Sequence, residues 1–215
     1  MKRESLNSEA SPNQLPLPSG YTKLNYIESQ GNQFIITGVC LGPNLKWELD
    51  AQWVEFNDNN AFGYEEWNQG AANTRVVCRL NFTKSKTLSI VYGNIPATDP
   101  NGFKQYNLPG ADATVRHVLY VESGKQCIDG VEVMQAIMTY TSTGYIMFFE
   151  SGFANGSGAY ICKKTRVYGS WMKNGDTLVR NFVPALRLSD SKPGLYDTVN
   201  DVFHTNAGTG EFLYA

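Results

Sequence analysis

Arg166-Val167-Tyr168, then Trp171, then Asn174-Gly175-Asp176-Thr177-Leu178-Val179-Arg180-Asn181-Phe182-Val183-Pro184-Ala185: this stretch decides the fold class. An Asn-Gly pair between two apolar runs is the strongest short-range signal for a β-hairpin, because both central residues of a tight I′ turn must reach positive φ. The chain continues through Gly194-Leu195-Tyr196-Asp197, Phe203 and Asn206-Ala207-Gly208-Thr209-Gly210. Strand, turn, strand and a Gly-rich closing segment predict an all-β chain. Gly194, Gly208 and Gly210 are expected to supply positive φ or close backbone approach. No catalytic motif falls within these residues.

The same pattern extends toward the N-terminus. Trp47, Leu49, Ala51 and Trp53 alternate with Glu48, Asp50 and Gln52, which places the first set on one strand face and the second on the other. Asn57-Asp58-Asn59-Asn60 reads as a turn from which Ala61-Phe62-Gly63-Tyr64 opens a strand, and residues 74–82, 87–92, 116–121, 126–133, 145–149 and 160–168 read as further strands, with turns at Ser123-Gly124 and Asp129-Gly130. Leu24, Tyr26 and Ile27 open the first strand, and Phe34-Ile35-Ile36-Thr37 continues it. Residues 93–112, rich in Pro, Gly and Asn, read as a long surface loop. About a dozen short strands with regular turns predict a sandwich or barrel. No window carries a helical period of useful length.

Composition bounds the rest. A chain of 215 residues suits one large all-β domain. Aromatics make up 13% of it, enough for a substantial core. A formal net charge of −2 without a basic block predicts no nucleic-acid partner. No stretch approaches the roughly 18 apolar residues of a membrane span, so no membrane partner is expected. Met1-Lys2-Arg3-Glu4-Ser5-Leu6-Asn7-Ser8 runs into Asn, Ser and Pro without an apolar segment, so no signal peptide and synthesis in a cytoplasm are expected. Residues 1–17 read as an extended N-terminal arm, disordered alone, with Leu6, Leu15 and Leu17 as its only sizeable apolar residues. Those three are its candidate anchoring residues, toward other proteins or sister subunits.

Four cysteines (Cys40, Cys78, Cys127 and Cys162) form no CxxC pair, and with only two histidines a zinc site is not expected. They read as small reduced hydrophobes on strands, and spacing does not decide whether any two pair. Glu48 and Asp50 share one strand face at i and i+2, the only carboxylate pair with the look of acid–base machinery. Ala51, Gln52 and Trp53 follow where a jelly-roll glucanase motif would carry its second Glu. His117 and His204 have no nucleophile elbow or Cys motif to serve and read as structural. Sugar recognition needs exposed aromatics beside amides or carboxylates. Tyr64, Trp67 and Asn68, with Gln69, lie in a loop-like stretch, Tyr106 in the long loop, and Trp171 ahead of a turn. Tyr64, Trp67, Asn68, Tyr106 and Trp171 are the candidate ligand-binding residues, and no catalytic residue is named.

Three segments carry a family resemblance. Leu17-Pro18-Ser19-Gly20-Tyr21, with Leu24, Tyr26-Ile27-Glu28-Ser29, Gly31, Gln33-Phe34-Ile35 and Thr37-Gly38, resembles the opening motif of laminin G-like domains in tailed bacteriophages and gut bacteria. His117-Val118-Leu119-Tyr120, followed by Ile128-Asp129-Gly130-Val131-Glu132-Val133, resembles the central hairpin of such domains. The C-terminal stretch quoted first is the third and most specific. The resemblance covers nearly all of residues 17–215 and leaves the arm aside. It implies a concanavalin A-like jelly roll, a two-layer antiparallel β-sandwich over residues 18–215 behind the arm of residues 1–17.

The resemblance also implies binding rather than catalysis. The expected function is a non-enzymatic phage virion protein, a decoration or fibre part, made in the host cytoplasm and displayed on the particle. The arm would hold it to other virion proteins or to sister subunits in a homo-oligomer, and the domain would meet a host-surface glycan or protein. The alternative is a carbohydrate-binding module or adhesin on the surface of a gut bacterium, if a leader was removed, and after that a glycoside hydrolase. Some laminin G-like domains hold calcium (Ca) through loop carboxylates and carbonyls. Asn57-Asp58-Asn59-Asn60 and Asp99-Pro100-Asn101 offer such oxygens, but such runs also form Asx turns. No metal ligand is named and no cofactor is expected.

Overall fold

The computed structural model describes residues 16–54, 59–68, 74–83, 87–94, 104–108, 115–139, 141–153, 160–161 and 163–215. The expectations placed on Leu6 and Leu15, on the calcium-type runs at 57–58 and 99–101, and on Cys162 lie outside the described residues. Among the described residues there is no helix. The strands are β1 (Tyr21–Lys23), β2 (Ile27–Gln30), β3 (Ile35–Cys40), β4 (Leu45–Trp53), β5 (Asn59–Asn68), β6 (Thr74–Thr83), β7 (Thr87–Asn94), β8 (Lys104–Leu108), β9 (His117–Glu122) and β10 (Lys125–Ile128). They continue with β11 (Val131–Met134), β12 (Tyr145–Phe148), β13 (Glu150–Phe153), β14 (Tyr160–Ile161), β15 (Lys163–Asn174), β16 (Thr177–Arg187), β17 (Lys192–Asp197), β18 (Val202–His204) and β19 (Leu213–Tyr214).

They form two sheets. The larger has eleven strands and runs β11-β10-β9-β4-β15-β16-β17-β18, with β1 on β16, β2 on β15 and β19 on β2. The smaller has eight and runs β14-β13-β5-β6-β7-β8, with β12 pairing both β5 and β3. Among the described pairings only β13 with β5 is parallel. The alternation read on β4 holds: Trp47, Leu49, Ala51 and Trp53 are fully buried, and they share one apolar cluster with Val167, Met172 and Phe182 of the larger sheet and Ile35, Ile90, Ile146 and Phe148 of the smaller. Two antiparallel sheets contributing to one core are consistent with a β-sandwich.

The hairpins follow turn chemistry, with one displacement. Asp129 (φ 50°) and Gly130 (φ 78°) both take positive φ between the paired residues Ile128 and Val131, as a two-residue I′ turn requires. In the β15–β16 hairpin the paired residues are Asn174 and Thr177, so the central residues are Gly175 and Asp176 rather than Asn174 and Gly175. Only Gly175 (φ 60°) has positive φ, the glycine placement of a II′ turn. The signal located the hairpin but missed its register by one residue.

Three expectations of extent are corrected. The first predicted strand, from Leu24 to Thr37, is broken into β2 and β3, β1 lies ahead of it, and β3 belongs to the smaller sheet. Gly31 (φ 119°) turns the chain. The Gln33 side chain pins the turn by accepting from the Gln30 N–H at 2.7 Å, and Ser29 Oγ accepts from the Gly31 N–H at 3.1 Å. Local polar bonds therefore outweigh β propensity there. The loop predicted over residues 93–112 contains β8, which closes on β7 with Tyr106 opposite Ile90. The strand read as opening over residues 61–64 is part of β5, which starts earlier, at Asn59, and runs on through Trp67 and Asn68, read as loop-like, paired with β6.

The closing segment seals the molecule as its glycines suggested. A Cβ on Gly208 would stand 2.0 Å from the Asn32 carbonyl oxygen, and one on Gly194 would stand 2.4 Å from that of His204. Gly210 has φ +76°. β19 pairs beside β2, which brings the last strand next to the opening motif.

Candidate functional site

The alternation that buries Trp47, Leu49, Ala51 and Trp53 sends Lys46, Glu48, Asp50 and Gln52 to the outer face of the larger sheet. Strand register decides what joins them. Glu48 is paired with Tyr120 on β9 and with Trp171 on β15, so Tyr120, Glu48 and Trp171 form a row across three strands. Gln52 is paired with Arg166, which is in turn paired with Glu28 on β2. Between these rows a β-bulge lies at Val167 to Gly169. It adds Tyr168 to the outer face and sets Gly169, which has no side chain, opposite Asp50. The guanidinium of Arg116 reaches over that gap.

The face is densely bonded. Arg116 Nε donates to Asp50 Oδ1 at 2.5 Å and its Nη2 donates to Asp50 Oδ2, a bidentate pair. The same guanidinium lies 3.9 Å from the Tyr168 ring centroid, and the Tyr168 hydroxyl donates to Gln52 Oε1 at 2.6 Å. Arg166 Nε donates to Glu28 Oε2 at 2.7 Å, and its guanidinium lies 4.4 Å from the Tyr26 centroid. The Tyr26 and Tyr168 rings are 5.5 Å apart. At the other end the Tyr120 hydroxyl donates to Glu122 Oε2 at 2.6 Å, the Tyr120 and Trp171 rings are 5.8 Å apart, and Lys173 Nζ lies 5.3 Å from the Trp171 ring.

Charge on the face is tuned by this packing. Burial pushes the Glu48 carboxyl above the usual carboxylate range; hydrogen bonding from Trp171 opposes the shift, and the Asp50 charge adds to it. Burial, then the bond to Glu122, pushes the Tyr120 phenol up. The bond to Asp50 raises Arg116 further, so it stays a cation at any pH the fold survives. The result is a fixed surface of half-buried aromatic rings, carboxylates and guanidinium groups on the middle strands of the sheet. Such a surface offers stacking planes and both kinds of hydrogen-bonding group to a polyhydroxylated ligand.

Of the residues singled out from sequence, Trp171 stands in this face, on β15. Tyr106 does not: it is on β8 of the smaller sheet, half-buried against the core. Tyr64, Trp67 and Asn68 are on β5 of that same sheet, and their side chains lie outside the described part. Leu17 is half-buried beside Tyr196, Thr198 and Asp201. Tyr26, Arg116, Tyr120 and Tyr168 were missed. Period-two patterning finds the outward residues of β4, but only the β9-β4-β15 strand order shows what flanks them.

The remaining candidates are structural in placement. His117 is buried, with Nδ1 2.8 Å from Asp129 Oδ2. His204 packs edge-on against Phe182 at 5.3 Å. Cys40 and Cys127 are unpaired thiols on β3 and β10. Among the described residues no group of three His, Cys, Asp or Glu side chains could hold a metal ion. No model of a known protein family matches the chain, and no curated protein matches it.

Proposed function

We propose that this chain is a non-enzymatic recognition domain, a laminin G-like jelly roll carried on a tailed-phage virion, and that it attaches to glycan on a host surface. The row Tyr120–Glu48–Trp171 beside Asp50–Arg116–Tyr168 carries the reading: rings and charged groups stand together on the rigid centre of a sheet, partly open to solvent. The three segments of sequence resemblance support the fold family and the virion setting. Residues 1–17 would anchor the domain to other virion proteins or to sister subunits.

A glycan array probed with the full chain tests the binding. Trp171→Ala should abolish the signal while the circular dichroism spectrum shows that the variant is still folded at the assay temperature, a check needed because Trp171 also packs on Tyr120 and donates to Glu48. Array binding that survives this change removes the face from the reading. Deletion of residues 1–17 tests the anchor, and a truncated chain that still joins particles normally rules it out.

The raised Glu48 carboxyl beside Asp50 favours a glycoside hydrolase as the second reading. Both Asp50 oxygens are already held by Arg116, which suits a fixed binding group better than a mobile acid–base partner. Hydrolysis of an array-positive oligosaccharide, lost in Glu48→Gln, would establish the enzyme instead.

A further inference from the structure

The outer face carries a groove at its Tyr26–Tyr168 end. It lies between the Lys23–Tyr26 segment and the shelf formed by Asp50, Arg116 and Tyr168 and measures about 450 Å³, within the size range of small-ligand sites. We propose that this groove is a subsite for a single pyranose residue, held through a vicinal pair of hydroxyls by the Asp50–Arg116 fork. The proposal rests on the glycan-binding reading above and specifies where and how the sugar is held.

The fork supplies the right groups in the right number. An ionised carboxylate has about four lone-pair positions, and Arg116 occupies one on each Asp50 oxygen. Each oxygen therefore retains accepting capacity. A guanidinium has five N–H donors, two of which Arg116 spends on Asp50. Two adjacent sugar hydroxyls can donate to the carboxylate while their oxygens accept from the guanidinium, which is the complementary pattern. The side chain of Asp50 is 14% exposed and that of Arg116 51%, so the acceptor is set down in the floor and the donor stands at the opening.

Preorganisation favours this use. The bidentate pair fixes Asp50, and stacking on Tyr168 fixes Arg116 from the other side. A ligand arriving here orders few new side chains, and that ordering is a main cost of binding. The Tyr26 and Tyr168 rings, tilted by 59° to one another, line the groove with apolar surface for the sugar C–H groups. The N–H groups of Leu24, Asn25 and Tyr26 along the groove are already spent on the Pro184 and Ala215 carbonyls, which leaves them unavailable as donors to the backbone of an extended peptide.

The test is an NMR titration of the ¹⁵N-labelled full chain with four probes: the methyl glycosides of glucose, galactose and mannose, and glucuronic acid. Amide shifts of Asn25, Tyr26, Asp50 and Tyr168 should move together along one saturating curve with at least one probe. Arg116→Gln and Asp50→Asn should each weaken that binding about tenfold or more, the scale of a lost charged hydrogen bond. Asp50 is mostly buried, so each variant is titrated only where its amide spectrum shows the wild-type fold outside the groove, and the loss is read as weakened binding by a folded chain. Shifts clustered elsewhere, shifts insensitive to both variants, or no shift with any probe at tens of millimolar would overturn the subsite. An array signal lost in Trp171→Ala but unchanged in Arg116→Gln removes the subsite and leaves glycan binding standing. No array signal and no shift removes both.

Discussion

Glu48 and Trp171 stand directly opposite one another in the β4–β15 register, and the indole N–H donates to the carboxylate. Burial still outweighs that bond and holds the carboxyl above its ordinary value of 4.5. A raised carboxyl binds its proton more tightly in the folded chain than in the unfolded one. Its contribution to stability is therefore complete below the unfolded pKa and is lost as pH rises through the folded value. Glu48→Gln keeps an oxygen for the indole and removes the charge. It should raise the melting temperature at pH 7 by about 1–2 °C, a modest gain because the carboxyl keeps some water. The gain should vanish below about pH 4, where wild-type Glu48 is itself neutral. Equal melting temperatures at pH 7 would contradict the burial account.

His204 shifts the other way. Burial lowers its imidazole below the ordinary value of 6.5, more than the nearby Asp197 charge and a hydrogen bond to the Ile36 backbone raise it. That bond links β18 of the larger sheet to β3 of the smaller. A histidine held neutral by folding stabilises the protein fully above its unfolded pKa, and the contribution is lost as pH falls through the depressed folded value. Urea midpoints of the wild type should therefore drop between pH 7.5 and 5, and His204→Gln should flatten that drop. A His204→Gln profile parallel to wild type would assign the acid sensitivity to other groups.

What was legible in the sequence depended on how local its cause was. β4 could be read from its own residues, because alternation fixes which side chains point inward whatever the neighbouring strands are. Asp129-Gly130 could be read because positive φ at both positions is a local demand. The break at Gly31 could not, since it depends on Gln33 folding back onto Gln30 and reaching the Thr209 carbonyl, 176 residues away, at 2.9 Å. The binding face was half legible. Glu48 and Asp50 could be read as a pair from their spacing and Trp171 as a separate aromatic, but nothing local joins the three. Arg116 was read only as the start of a strand, yet the β9–β4 pairing sets it beside Asp50, 66 residues earlier in the chain.

Asp197 organises the turn after β17. Its side chain is fully buried and accepts from the Asn181 N–H at 3.0 Å, the Val199 N–H at 3.1 Å and Asn200 Nδ2 at 2.7 Å, with Arg180 Nε 3.5 Å away. Asp197→Ala strips acceptors from these donors and leaves the Arg180 charge uncompensated, a loss of about 3–5 kcal/mol. Asp197→Asn keeps one acceptor oxygen and should cost about half as much. Urea denaturation of the two variants measures both. Equal losses would mean that charge alone matters at this position, and a loss under about 1 kcal/mol for Asp197→Ala would show that water replaces the carboxylate.

Gly208 makes the tightest backbone approach of the closing segment. The neighbouring Ala207 N–H donates to the Phe34 carbonyl and the Thr209 N–H to the Asn32 carbonyl, both at 2.9 Å. Asn206 Oδ1 accepts from the Phe34 N–H at 3.1 Å and from the Gly208 N–H at 2.8 Å. These bonds draw the segment onto residues 32–34 until a Cβ on Gly208 would overlap the Asn32 carbonyl, at 2.0 Å. The obstruction is backbone, so no side chain can swing away. Gly208→Ala should cost about 3 kcal/mol, the upper end of an overpacking penalty, and should speed hydrogen exchange at the Ala207 and Thr209 amides. Gly124→Ala separates crowding from backbone strain, because Gly124 has φ +87° and nothing within 4 Å of the added carbon. That control should cost only about 1 kcal/mol. If Gly208→Ala is as mild as Gly124→Ala, the closing segment lifts from residues 32–34 at little cost and is not what holds β19 beside β2.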